Sequence, residues 1–192
     1  QLFLKGKNLL SYEMAMKITK NTLLAEKRFL EKETELVFIE QVEAEMTSAV
    51  EIQIKDEKRI INFKGYIDRI DKIGSKYRVI DYKTGKVTDK DVEFKVSEDG
   101  IKASFASSKH ALQLALYTIF FKEKYKVLPD IAAIYSLVNL TKPFELKFKN
   151  KNGLEDFPEL FKELVEEVIS EIYDLDVPFE HSSNSKYCNF CN

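Results

Sequence analysis

One segment, Gly65 to Gly85, limits what this chain can fold into more than any other. It reads GYIDRIDKIGSKYRVIDYKTG. Two runs rich in β-branched and aromatic residues flank Ile73-Gly74-Ser75-Lys76, a sequence suited to a tight turn, so an antiparallel hairpin is expected. Side chains alternate between the faces of a strand, which sets Asp81 and Lys83 on the same face. Pairing brings Asp68, on the first strand, toward Asp81 on the second. Two carboxylates ~5 Å apart repel by roughly 3 kcal/mol at an effective dielectric constant of about 20. A hard divalent cation relieves that repulsion, and a lysine beside it can act on the water the cation activates. Lys83 alone also offsets much of the repulsion. By itself D-x-K is therefore a weak signal, and it fits a structural Asp–Lys pair on a solvated strand.

The rest of the chain supplies a core around this hairpin. Residues 9–33 carry Leu9, Met16, Ile18, Leu23, Leu24 and Phe29-Leu30 at roughly helical spacing, with no Pro or Gly. Residues 36–54 read as a strand with a kink, and a turn at Asp56-Glu57-Lys58-Arg59 leads into the Asp68 strand. There Ile61, Phe63, Gly65 and Ile67 fall on one face, and Lys64, Tyr66 and Asp68 on the other. In the next strand Tyr77, Val79, Asp81 and Lys83 oppose Ile80 and Tyr82, as in a sheet buried on both sides. Residues 85–108 are polar, with only a short strand expected at Val92–Val96. Such a stretch is either functional, covering a bound strand of nucleic acid, or a surface loop. Residues 109–126 predict a helix whose buried side is Leu112, Ala115, Leu116, Ile119 and Phe120, with Gln113 and Tyr117 sharing another face. A strand at 131–138 then returns parallel to the hairpin by a crossover. An edge strand at 143–149 and a helix at 154–175, with a stripe of Leu160, Leu164, Val168 and Ile172, complete the pattern. The expected fold is α/β, a mixed central sheet flanked by helices.

The ordered set G-x-x-D-R-x-D, D-Y-K-T-G and Q-x-x-x-Y resembles the RecB-type nuclease domain of the PD-(D/E)XK superfamily. It looks similar to the version found at the C-terminus of AddB-like helicase–nuclease subunits. The resemblance covers about Val42 to Tyr125. It implies a restriction-endonuclease-like fold in one domain spanning 1–192, with 179–192 as a tail. It implies Asp68 and Asp81 as ligands of Mg²⁺ or Mn²⁺, with the Tyr82 backbone carbonyl as a further ligand. Lys83 would act on the attacking water or the transition-state charge, and Gln113 and Tyr117 would contact nucleic acid. The implied reaction is hydrolysis of DNA phosphodiester bonds to a 5′-phosphate end, on single strands or unwound ends. The implied partner is a helicase domain or subunit, in recombination and repair. The alternative is an inactive DNA- or helicase-binding module of the same fold. Glu43, in V-E-A-E, either reaches the metal or is an exposed edge glutamate.

Two departures from the family pattern stand out. Relatives carry a His on an early helix that joins the metal site, yet no His precedes His110 here. Relatives with an iron–sulfur cluster supply four thiolates, whereas this chain has only Cys188 and Cys191. The cluster would need ligands beyond this chain, and two free thiols in the tail are the other reading. The net charge of −2 lacks the basic excess of a free-standing DNA-binding domain, although a module tethered to a helicase would not need it. Lys83, Lys86, Lys90, Lys95, Lys102 and Lys109 still gather around the central segment in sequence. No run of about 18 apolar residues is present to span a membrane. Cysteine usage suggests a reducing compartment, the cytoplasm. The chain opens on Gln1 within a pattern, so a piece of a longer protein is expected.

Overall fold

The computed structural model describes residues 5–54, 57–96, 102, 104–105, 108–149, 154–176 and 178. Two long strands dominate it. β1 (Val37–Ile54) and β2 (Glu57–Ile73) pair antiparallel along their whole length. β3 (Lys76–Lys83) folds back on β2, with Ile73 opposite Lys76. The turn between them holds two residues, and Gly74 sits first at φ 58, the left-handed conformation that a tight hairpin needs there.

α1 (Gly6–Leu30) precedes the sheet and α2 (Lys109–Tyr125) follows β3. β5 (Ile131–Ser136) then runs parallel to β3, from Arg78 opposite Ile131 to Lys83 opposite Ser136. β6 (Asn139–Glu145) returns antiparallel to β5, giving a five-stranded mixed sheet in the order β1-β2-β3-β5-β6. A small parallel pair joins β4 (Glu93–Phe94) to β7 (Lys147–Phe148), and α3 (Phe157–Ile172) is the last element among the described residues. The helices cover opposite faces. Arg78 lies over the Phe29 ring of α1, while its neighbour Tyr77 packs on Phe121 of α2. The expected mixed α/β sheet flanked by helices is therefore what forms, consistent with a restriction-endonuclease-like fold. Among the described residues no helix is long and apolar enough to cross a membrane.

Several local expectations are corrected. The first helix runs Gly6–Leu30 instead of 9–33. Lys58 and Arg59 pair with Gln53 and Ile52, so they belong to a strand and not to a turn; the connection at 55–56 lies outside the described residues. The expected edge strand 143–149 is split between β6 and β7, and Pro143 sits in an outer strand where its missing N–H costs no ladder bond. In α3 the buried stripe is Phe157, Phe161 and Val165, one position on from the predicted line. In α2 Ala115 and Phe120 are buried as expected, joined by Ala111, Leu114, Tyr117, Thr118 and Phe121, whereas Leu112, Leu116 and Ile119 are only partly covered. The polar stretch after Gly85 hides Val87, Val92, Phe94 and Phe105, all buried. Its short 3₁₀ turn, Asp89–Val92, is capped reciprocally by Thr88 and Asp91.

The largest departure lies in the β1–β2 ribbon. Ala44 and Met46 enter the core beneath α2, and Ser48 donates to Glu123 of α2. Gln41 also reaches α2, accepting from Lys124 and Tyr125. Strict alternation cannot put both 41 and 44 on one side. On β2, Gly65, Ile67 and Ile70 all meet the α2 core, while Arg69 turns to Glu26 of α1. The pleat therefore slips once on each strand. The slip falls between Val42↔Arg69 and Ala44↔Ile67, where Glu43 lies opposite Asp68. Glu43 has φ 47, the left-handed conformation that breaks the pleat. A further bulge lies between Ile39 and Gln41. The expected kink in β1 is thus present, but the simple alternation expected for Asp68 is not.

Candidate active site

β3 ends with Asp81, Tyr82 and Lys83, and the chemistry gathers around Asp81. Its side chain points under α2 and the residue is 2% exposed. Oδ1 accepts from the Gln113 amide at 2.9 Å and faces the Tyr117 hydroxyl at 3.5 Å. The same Gln113 nitrogen donates to the Tyr117 oxygen at 2.7 Å, so the three groups form a closed triangle. Oδ2 is buried and, among the described residues, meets only the Lys83 ammonium, 2.9 Å away. Asp81 and Lys83 share a face, as a strand period of two requires.

Asp68 lies one position beyond the last paired residues of β2 and β3, Arg69 and Ile80. Its Oδ2 accepts from the Tyr82 backbone N–H at 2.7 Å. The carboxylate thus caps the end of the β2–β3 ladder next to Asp81. Burial pushes the Asp81 carboxyl above its ordinary range; Lys83 opposes that, the Asp68 charge adds to it, and His110 opposes it more weakly. Tyr117 is pushed up to about 12, first by burial and then by the charges of Asp81 and Asp68, against the Gln113 hydrogen bond. Its phenol therefore keeps its proton at neutral pH and stays a donor.

The donor set fits a hard cation. Asp81 Oδ2 is a buried acceptor met only by the partly exposed Lys83 ammonium among the described residues, on a carboxylate that burial disfavours as a bare anion. The Lys83 carbonyl accepts from Leu137 on the β5 side. Carbonyls alternate along a strand, so the Tyr82 carbonyl points to the other side, that of Asp68. Among the described residues no three His, Cys, Asp or Glu side chains converge to hold an ion alone. Two carboxylates and a carbonyl suit Mg²⁺ or Mn²⁺, since Mg²⁺ keeps several waters and demands few protein ligands.

The other candidates fall in different positions. Glu43 is exposed, opposite Asp68 in the register. Gln113 and Tyr117, expected at a nucleic-acid contact, both turn toward Asp81; Gln113 is partly exposed and Tyr117 only 7% exposed. Their spacing of four located them on one helix face, but nothing in the spacing named the partner. His110, half-buried one turn before Gln113, bears electrostatically on both Asp81 and Asp91. Of the lysines near the central segment, Lys102 pairs with Glu171 and Glu167 of α3, while Lys86, Lys90 and Lys109 are exposed. Cys188 and Cys191 lie outside the described residues.

The G-x-x-D-R-x-D motif suggests a structural Arg69–Asp71 ion pair, and behind the site, on the α1 side, that pair forms within a wider network. Asp71 joins Arg69 and Arg78, Arg69 also reaches Glu26 and the Tyr82 hydroxyl, and Arg78 reaches the Tyr135 hydroxyl. Burial alone would lower the Arg69 pKa, but its hydrogen bonds to Asp71 and Glu26 more than offset that and raise it. A comparison with curated proteins gives no match. A family model, described as the PD-(D/E)XK nuclease superfamily, matches residues 8–192.

Proposed function

Because the chain belongs to the PD-(D/E)XK nuclease superfamily, we propose that it is a divalent-metal-dependent deoxyribonuclease. We read it as the nuclease module of a RecB/AddB-like helicase–nuclease in recombination and repair. Its substrate is single-stranded DNA or unwound ends, delivered by a helicase domain or subunit. The observation that carries this reading is the buried Asp81 carboxylate, whose Oδ2 meets the Lys83 ammonium and lies away from the Gln113 and Tyr117 contacts, with Asp68 beside it.

Asp68, Asp81 and the Tyr82 carbonyl would hold Mg²⁺ or Mn²⁺, with Glu43 the nearest further carboxylate in the register. When bound, the cation supplies positive charge to the scissile phosphate and makes a water more acidic. Lys83 is partly exposed, so its ammonium can reach from Asp81 toward solvent-side phosphate. There it orients the attacking water or stabilises the charge that builds on the phosphoryl oxygens. Gln113 and Tyr117 fix the Asp81 carboxylate, leaving Oδ2 directed away from their hydrogen bonds. Exposed Lys86, Lys90 and Lys109 offer backbone contacts that carry no sequence preference.

The test is cleavage of end-labelled linear single-stranded DNA in Mg²⁺ and in Mn²⁺, with Asp81→Ala and Lys83→Ala beside the wild type. Metal-dependent cleavage lost in both variants supports the reading. DNA binding without cleavage by the wild type under all conditions would sink it, in favour of an inactive binding module.

A further inference from the structure

We infer that Glu26 of α1 is a positioning residue for the Asp68–Asp81 site, acting from the opposite face of the sheet through Arg69 and Tyr82. The inference rests on the metal-site reading above. Two guanidinium groups lie side by side behind the site, on Arg69 (9% exposed) and Arg78 (4% exposed). Asp71, fully buried, is shared between them. Its Oδ1 accepts from Arg69 Nε at 2.6 Å, and its Oδ2 accepts from Arg78 Nη2 at 2.6 Å and Nε at 3.1 Å. One carboxylate balances one cation, so a second anion is needed. Glu26 supplies it, 2.7 Å from Arg69 Nη2 and 3.9 Å from Arg78 Nη2. Breaking such a buried set by removing one partner leaves an uncompensated charge, which is strongly unfavourable.

The geometry then leads to the site. Arg69 follows Asp68 in the chain. Its remaining nitrogen, Nη1, donates to the Tyr82 hydroxyl at 3.2 Å, and Tyr82 in turn offers its backbone N–H to Asp68. The guanidinium is a planar fork of fixed shape, and here each of its three nitrogens is committed. Holding Nη2 on Glu26 therefore fixes where Nη1 holds Tyr82, the residue between Asp81 and Lys83. No residue of α1 is fully buried. Its chief other hold on this network is the Phe29 ring, 4.0 Å from the Arg78 guanidinium. Docking of α1 and order at the carboxylate pair are thus tied through one side chain.

The experiment measures Mn²⁺ binding by calorimetry and stability by urea melts, for the wild type, Glu26→Gln and Phe29→Ala. Phe29→Ala loosens α1 without touching the charge balance. We expect Glu26→Gln to weaken Mn²⁺ binding by about tenfold, the low end of the scale seen when direct partners of metal ligands are removed, because Glu26 acts through Arg69 and Tyr82. Phe29→Ala is expected to lose stability and keep its Mn²⁺ affinity within about twofold, well short of that scale. Should Glu26→Gln not fold, Tyr82→Phe reads the same linkage with no change of charge and is expected to weaken binding in the same direction. Unchanged Mn²⁺ affinity in the folded Glu26→Gln protein, or in Tyr82→Phe if it must stand in, overturns the inference alone. Equal loss of affinity in Glu26→Gln and Phe29→Ala overturns it too, because helix docking would then be the whole effect. A wild type that binds no Mn²⁺ overturns the metal reading and this inference with it.

Discussion

Asp71→Asn is the substitution whose cost can be worked most directly from the structure. The change keeps the shape and removes the charge. Asp71 is fully buried and accepts three hydrogen bonds from two guanidinium groups. An amide has one acceptor oxygen, so whichever way it turns, its NH₂ faces an arginine donor. One arginine is left without its carboxylate in a dry setting. Breaking a buried ion pair by removing one partner costs about 3–5 kcal/mol. Total stabilities of about 5–15 kcal/mol are usual, so the loss is a large share of what holds the fold. For a chain of this size it corresponds to a midpoint lower by roughly 6–20 °C. Thermal and urea unfolding followed by far-UV circular dichroism measure it, with Lys58→Ala as control. Lys58 pairs with Glu51 at 2.8 Å, but both side chains are more than half exposed, so its removal should barely move the midpoint. An Asp71→Asn protein no less stable than the control would refute the argument that this network is a buried charge balance.

Two further predictions follow from the same packing. A Cβ at Gly65 would lie 3.0 Å from Phe120 Cε2 and 3.7 Å from Tyr117 Cε1, so Gly65→Val should cost about 1–3 kcal/mol by overpacking. It should also lower DNA cleavage by displacing Tyr117 from Asp81; full activity at reduced stability would separate the two effects and contradict the second. For Asp81, a folded pKa above the ordinary 3.8 means that the folded state holds the proton more tightly. Its contribution to stability is present at low pH and is lost as pH rises from 3.8 through the folded value. Across that window the urea midpoint of the wild type in EDTA should therefore fall relative to that of Asp81→Asn. Added Mn²⁺ should restore stability chiefly on the high-pH side. Identical slopes for the two proteins would remove burial of Asp81 as the cause.

The hairpin and the pairing of Asp81 with Lys83 were legible in the sequence because both depend on local rules: a glycine at the first position of a two-residue turn, and a period of two. The side taken by Asp68 was not. It depends on a slip in the pleat at Glu43, on the other strand, where no glycine marks the left-handed backbone. The inner face of α2 is legible only at Ala115 and Phe120, because apolar residues occur on nearly every side of that helix and packing alone selects among them. In α3 two lines at spacing four compete, and the one bearing Phe157 and Phe161 wins because aromatic rings bury more surface. Phe94 and Phe105 were hidden by polar neighbours. For Gln113 and Tyr117 a shared face follows from their spacing, while their partner lies 32 and 36 residues away.

The double slip at Glu43 and Asp68 has a bearing on how this chain can change in length. Adding or removing one residue in a strand turns every side chain beyond it to the opposite face. In this ribbon the outer halves of β1 and β2 already take their facing from those two residues. Loss of either one would drive Met46 and Ile52, or Ile67 and Phe63, from interior to solvent. No nearby turn lies between the slip and those positions to absorb the change. The Asp68 carboxylate thus stands at a position the sequence can vary in kind but not in count, and insertions among relatives should collect at the 55–56 connection and after Gly85 instead.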